Sequence, residues 1–161
     1  MRFRAALPAL LVVLAVLAVA LPACGGGNPS EGLISNVDKA RSARTLASLQ
    51  QALITVSVAA VDSGASTPAA LATLLQQRDP SNRYTTAPPT DVGIVQVEGG
   101  GGTPVMLVGI NSPPGSPRPP AYLAVWSSGG TTLFYMGQQP PLYSSAAPSG
   151  AGWSSSPPQM S

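Results

Sequence analysis

Apolar residues recur at helical spacing between about Val37 and Val61. One stripe, at steps of three and four residues, consists of Leu46, Leu49, Leu53, Val56 and Ala60. A second stripe beside it consists of Ala47, Ile54, Val58 and Val61. Polar side chains fall on the opposite side of the same helical projection. The pattern therefore predicts a long amphipathic helix that buries one broad face against the rest of the fold.

A shorter helix is predicted soon after this one. Thr67 is a suitable N-cap, and Pro68 suits the first helical position, where its missing N–H has no intrahelical partner to lose. The apolar side of this helix consists of Leu71, Leu74 and Leu75. The helix should end near Arg78, because Pro80 disfavours helical backbone in the residue before it.

From residue 92 onward the pattern changes to short β-branched and aromatic runs, separated by glycine turns or prolines. The four predicted strands are Val92–Val97, Val105–Ile110, Ala121–Ser127 and Thr131–Met136. Strands of this length with turns between them are typical of an antiparallel meander. Residues 79–91 are predicted as loop. Residues 138–161, rich in Gln, Pro, Ser, Ala and Gly, are predicted to be mostly disordered.

The predicted fold class is α+β. A long N-terminal amphipathic helix and a short helix pack on a four-stranded antiparallel meander, and a disordered C-terminal tail follows. Laying the helical stripe across one face of the sheet gives a two-layer domain with a single core. The strand residues expected in that core are Leu107, Leu123, Val125, Trp126 and Phe134.

The N-terminal segment has the three parts of a secretory signal. Arg2 and Arg4 precede an apolar run over residues 5–20, and the small residue Ala23 precedes Cys24. The expected organisation is a signal peptide over 1–23, a flexible tether over 24–30, a small α+β domain over 31–137 and the tail over 138–161.

The end of the signal resembles the lipobox of bacterial lipoproteins. Leu21 occupies the apolar position and Ala23 the small position before Cys24, while Pro22 stands where the family usually has a small or β-branched residue. The resemblance implies transfer of a diacylglyceryl group to the Cys24 thiol and cleavage before that residue. It implies location at the cell membrane, on its extracytoplasmic face. An ordinary cleaved signal, with Cys24 as a bystander, and an uncleaved anchor are the alternatives.

Composition excludes several kinds of chemistry. The chain has one cysteine and no histidine, so it can form no internal disulfide, no Cys/His metal site and no histidine-dependent acid–base pair. Of eight basic residues, Arg2 and Arg4 lie in the signal. The remaining six basic residues balance six acidic ones. A neutral chain lacks the basic surface that nucleic-acid binding requires, so no nucleic-acid partner is expected.

No catalytic, cofactor-binding or metal-binding residue is predicted. The carboxylates are Glu31, Asp38, Asp62, Asp79, Asp91 and Glu98, and no two of them have the spacing of an acid–base pair. The glycines at 99–102 lack the Lys-Ser/Thr that a phosphate loop requires, so they are interpreted as a hairpin turn. The protein is therefore expected not to be an enzyme and to need no cofactor.

The aromatic residues allow two interpretations. Tyr84, Tyr122, Trp126 and Tyr135 could line a face that binds sugar or peptide, or they could form core and cross-strand pairs. The prolines between residues 113 and 120 could likewise present a polyproline II segment to a partner or stiffen a loop. Tyr143 and Trp153, in the tail, are expected to be solvated.

The segment Asp38–Leu53, with its Ala/Arg-rich turns followed by spaced leucines, resembles the C-terminal half of the spine helix of type IV pilins and pseudopilins. The order of elements over 36–136 is similar to their soluble domain. This resemblance implies self-association through the spine helix. The chain departs from the family where Gly27-Asn28-Pro29 follows the cysteine in place of the pilin cleavage site and its glutamate.

The sequence thus predicts a lipid-anchored cell-envelope protein with a non-catalytic structural or interaction domain. Its expected partner is the membrane, through the diacylglyceryl anchor, with other envelope proteins as further candidates. One alternative is a ligand-binding accessory lipoprotein of a transporter or envelope enzyme. The other is a pilin-like assembly subunit.

Overall fold

The computed structural model describes residues 29–63, 65–100 and 104–159 of the 161-residue chain. Helix α1 spans Pro29–Ser63 and helix α2 spans Pro68–Arg78. Helix α2 begins as its sequence requires, because the backbone N–H of Ala70 donates to Thr67 Oγ1 at 3.2 Å. It ends where the backbone N–H of Asp79 donates to the Leu75 carbonyl at 2.7 Å.

Six strands within the described residues form one sheet, in chain order from edge to edge. The strands are β1 (Arg83–Thr85), β2 (Ile94–Gly99), β3 (Val105–Ile110), β4 (Tyr122–Ser128), β5 (Thr131–Gly137) and β6 (Trp153–Ser154). Strands β1 and β2 are parallel, and every other neighbouring pair is antiparallel. The helices lie against one face of this sheet, here called the inner face, and the C-terminal segment lies against the other, the outer face.

The predicted fold class is therefore wrong. The sheet has six strands in place of four, and it is mixed in place of antiparallel. One added strand, β1, lies in the region predicted as loop 79–91. The other, β6, lies in the tail that was predicted to be disordered. Both strands are too short to give an alternating pattern, so only tertiary hydrogen bonds define them.

Strand β1 is held from both sides. Its Arg83 N–H donates to the Gly93 carbonyl at 2.8 Å, on the side of β2. On its free edge, the N–H of Tyr84 donates to Gln76 Oε1 from helix α2 at 3.1 Å. Helix α2 thereby covers the edge that a three-residue strand would otherwise leave open to other chains.

The main core lies between the inner face and the two helices. Leu49 and Ala52 of α1, together with Leu71 and Leu75 of α2, are fully buried against it. The inner-face residues in this core are Tyr84, Val95, Val97, Leu107, Leu123, Val125 and Phe134. Trp126 was expected in the same core, but it belongs to a second cluster on the outer face. Alternation of side chains along β4 puts it there, one residue from Val125.

The buried face of α1 is narrower than the sequence predicts. Ile54 and Val58, from the second apolar stripe, have 57% and 61% of their surface exposed. Ala47 is exposed as well. Among the helices and strands, α1 packs against α2, β3 and β4, and these contacts bury Leu46, Leu49 and Val56 of the first stripe. The prediction of one broad buried face is wrong for this reason.

The proline-rich connection between β3 and β4 is fastened to α1. The Asn111 amide donates to Ser42 Oγ at 2.9 Å, and its carbonyl oxygen accepts the Ala121 N–H at 2.9 Å. Arg118 reaches Asp38 of α1 at 3.3 Å. These contacts fit the interpretation of this segment as a stiff loop, which closes the end of the domain where α1 enters it.

Candidate functional site

Cys24, the predicted lipidation residue, lies outside the described residues, as do the signal peptide over 1–23 and most of the predicted tether. None of the described helices has both the length and the apolar character needed to cross a membrane. The anchor therefore stays a prediction from sequence, and the described fold offers three further places to examine: the carboxylates, a polar cleft and the outer face.

The carboxylates whose side chains are described lie apart from one another. Asp38 accepts from Arg118 and lies 4.0 Å from Arg41, both on exposed surface. Asp91 accepts the backbone N–H of Val92 at 2.7 Å, as turn aspartates commonly do. Glu98 accepts from the Gln96 amide at 2.5 Å, and burial raises the pKa of its carboxyl. No group of three or more potential ligands able to hold a metal occurs within the described chain.

Asp79 is the most highly coordinated of these carboxylates. Tyr84 donates its hydroxyl to Asp79 Oδ2 at 2.5 Å, and the Asn82 amide donates to the same oxygen at 2.9 Å. The other carboxylate oxygen accepts both the backbone N–H and the hydroxyl of Ser81. Asn82 also reaches Ser48 of α1 at 2.6 Å. The network thus joins the α2–β1 turn to helix α1.

This network moves the pKa values of both Asp79 and Tyr84 further from neutral pH. Partial burial raises the pKa of the Asp79 carboxyl, but the hydrogen bonds it accepts outweigh burial and lower the pKa from 3.8 to about 2. Burial, with the hydrogen bond to Asp79 and its charge, raises the pKa of the Tyr84 hydroxyl. Asp79 therefore stays ionised and Tyr84 stays protonated near neutral pH, and the hydrogen bond between them stabilises the turn.

The network predicts a specific dependence of stability on acid. Because the folded-state pKa of Asp79 is depressed, its contribution is present above pH 3.8 and is lost as pH falls toward 2. We expect wild type to lose about 1 kcal/mol more than Asp79→Asn between pH 5 and 2, after allowing for solvent screening at this partly exposed site. Urea unfolding of both proteins across that range measures the difference. Parallel pH profiles would contradict the assignment.

A polar cleft lies beside this network, where α1 meets the start of β2. Its volume is about 290 Å³, at the lower limit of small-molecule sites. Arg44 and Ser48 of α1 form one wall, and Asn82 and Gly93 form the other. Both amide hydrogens of Asn82 are already used by Asp79 and Ser48. The cleft therefore offers few free donors beyond the Arg44 guanidinium.

Comparison with protein-family models, curated proteins and solved structures found no match to this chain.

The outer face gathers most of the aromatic residues. Three of the four aromatic side chains singled out in the sequence, Tyr122, Trp126 and Tyr135, lie there around Met106 and Val108. The fourth, Tyr84, lies on the inner face in the helix-side core. The register explains the grouping, because Tyr135 pairs with Ala124, and Trp126 pairs with Leu133 on the same face.

The tail completes this face, contrary to the expectation of disorder. Tyr143 and Trp153, predicted to be solvated, pack against the outer-face cluster, and the Trp153 ring lies 5.2 Å from that of Tyr135. Gly137 makes room for Tyr135, since a Cβ there would overlap its hydroxyl group. In the sequence, the packing of the tail was indicated only by two large aromatic residues, Tyr143 and Trp153, in a segment that otherwise lacks them.

Residues 139–144, here called the strap, cross the outer face and are held largely through their backbone carbonyls. The Tyr135 hydroxyl donates to the Gln139 carbonyl at 2.9 Å. The Trp126 indole N–H donates to the Ser144 carbonyl at 3.0 Å. Beyond Trp126, the Tyr143 hydroxyl donates to the Pro104 carbonyl at 3.0 Å. The arrangement binds an extended peptide segment by its backbone, which makes the outer face the candidate functional site.

Proposed function

We propose that this protein is a lipid-anchored protein of the bacterial cell envelope, whose domain serves a non-catalytic, interaction-mediating role. The single observation that carries the anchor is the sequence Leu21-Pro22-Ala23-Cys24 at the end of a signal-like segment. A diacylglyceryl thioether on Cys24 supplies two acyl chains, which is what stable membrane attachment requires.

The position of the fold along the chain supports this proposal. Only residues 25–28 separate the proposed lipidated residue, Cys24, from the start of α1 at Pro29. Helix α1 then rises roughly 20 Å, at 1.5 Å per residue, from Pro29 to Ser42, the first buried residue among those from 36 onward whose side chains are described. An anchor at this end would leave the sheet and its outer face clear of the bilayer.

The interaction role is supported by the chemistry of the described side chains. The carboxylates are dispersed or engaged in fixed hydrogen bonds, and the chain has no histidine. The outer face binds the strap through hydrogen bonds donated by Tyr135 and Trp126. Tyrosine and tryptophan are enriched in protein recognition surfaces. The ligand-binding and pilin-like alternatives stay predictions.

Cys24→Ser tests the anchor directly, since Cys24 is the only cysteine in the chain. Cells fed a labelled fatty acid should incorporate label into wild type and none into Cys24→Ser. The variant should leave the membrane fraction while remaining exported, because the signal is intact. Ser30→Ala, beyond the proposed cleavage site, is the matched control and should be labelled like wild type. Unlabelled wild type recovered from the soluble fraction would end the proposal.

A further inference from the structure

We infer that the outer face is a binding groove for proline-rich peptides, and that the strap over 139–144 occupies it as a built-in competitor. The partner in question is an extended, proline-rich segment of another protein. This inference deepens the proposed interaction role and is independent of the anchor, so a negative peptide result would leave lipidation of Cys24 untouched.

The first support is the chemistry of the occupant. The strap reads Gln139-Pro140-Pro141-Leu142-Tyr143-Ser144. Prolines lack an N–H, so a partner recognises such a segment mainly through its carbonyls and its ring surfaces. The two donors of the groove, Tyr135 and Trp126, bind the carbonyls on either side of the proline pair. Aromatic grooves that bind polyproline II segments use the same chemistry.

The second support is the shape that the sequence imposes on the strap. A residue before proline is restricted to extended or polyproline II backbone. The restriction applies to Gln139, which precedes Pro140, and to Pro140, which precedes Pro141. The segment therefore arrives extended, with little conformational entropy left to lose on binding. Another proline-rich segment would share that advantage.

The third support is that several strap residues are exposed while the aromatic surface beneath them is buried. Trp126 is only 3% exposed under the strap, and Met106 is fully buried. By contrast, Leu142 is 86% exposed, and Gln139 and Pro140 are exposed as well. The inner-face core contains none of the strap residues. Lifting the strap would uncover the aromatic groove without disturbing the contact between helices and sheet.

The test uses the full chain with a loosened strap. Pro140→Gly and Pro141→Gly remove its preorganisation, and Tyr143→Ser removes its anchor on Pro104. The probe is a synthetic peptide with the wild-type sequence of residues 138–146, followed through the Trp126 indole N–H signal in NMR. The loosened chain should bind the peptide about tenfold or more tighter than wild type. Wild type carries its own competitor at a millimolar effective concentration.

Two controls define the chemistry. Trp126→Phe in the loosened chain keeps an aromatic ring but loses the indole donor, so binding of the peptide, measured for this variant by calorimetric titration, should weaken about fivefold or more. A peptide with serine at both proline positions should bind weakly to every protein. Failure of the loosened, natively folded chain to bind the wild-type peptide at millimolar concentration would overturn the inference. The inference would also be overturned if the Trp126 indole N–H of the loosened chain exchanged with solvent as slowly as in wild type. The strap would then not be a displaceable competitor.

A second measurement needs no variant and so does not depend on its folding. A nitroxide-labelled copy of the same peptide, added in excess to wild type, should broaden the Trp126 and Tyr135 signals as it exchanges with the strap. Leu107, whose side chain lies on the opposite face of the same sheet, should broaden less. Absence of selective broadening on the outer face would overturn the inference.

Discussion

Replacing Leu49 by alanine is expected to lower the free energy of unfolding by about 3 kcal/mol, the usual effect of emptying a well-packed leucine site. Leu49 is fully buried in the contact between α1 and the inner face. Ile54→Ala on the same helix is the matched control. Ile54 is 57% exposed, so its replacement should change stability by less than about 0.5 kcal/mol.

Denaturant unfolding of the two variants measures the difference. The comparison also tests the rotation of α1 about its axis, because sequence periodicity places both residues on one broad apolar face. Equal losses from the two substitutions would mean that Ile54 is covered as well, and the assigned orientation of α1 would be wrong.

The substitution Gly109→Ala is expected to cost about 2 kcal/mol, within the range for overpacking a close contact. Gly109 lies on β3 directly beneath α1, and a Cβ there would lie 2.9 Å from Thr45 Cγ2. Helix and strand would have to separate to admit it. The loss would extend to neighbouring contacts, since protein interiors are close-packed and transmit strain.

Thr45→Ser provides the test of that mechanism. Serine removes the methyl group that the new Cβ would meet, while keeping the hydroxyl that donates to the Ile110 carbonyl at 3.4 Å. In the Thr45→Ser background, Gly109→Ala should cost less than half of what it costs in wild type, giving a coupling energy of about 1 kcal/mol. A double-mutant cycle by urea unfolding measures it. Simple additivity would show that something other than this contact makes glycine necessary.

The sequence predicted some features of the candidate site and missed others. Tyr122, Trp126 and Tyr135 were considered either as a binding face or as core and cross-strand pairs, and they do lie on one face of the sheet. Tyr84 was included with them, but it lies on the inner face. The sequence could not assign its face because its strand, β1, was not predicted. Tyr143 and Trp153 could not be assigned from sequence, since their segment has no periodicity of its own.

By itself, the sequence determined the features that depend on local chemistry. Thr67 and Pro68 set the start of α2, since a cap and a fixed φ act within one turn. Strand β3 has the predicted bounds, Val105–Ile110, because a β-branched run between glycine and proline segments has few alternatives. The resemblance of residues 21–24 to a lipobox likewise depends only on neighbouring residues, and it stays a prediction.

Only the tertiary structure decided which surfaces meet. It left Ile54 and Val58 exposed because α2, β3 and β4 pack against the face of α1 that carries Leu49. It added β1 and β6, whose few residues depend on hydrogen bonds to distant partners. It also laid the strap across the outer face, where Trp126 and Tyr135 bind carbonyls that an isolated tail would leave to water. Contacts between residues far apart in sequence leave no local pattern, because neither partner needs the other to satisfy its own backbone preference.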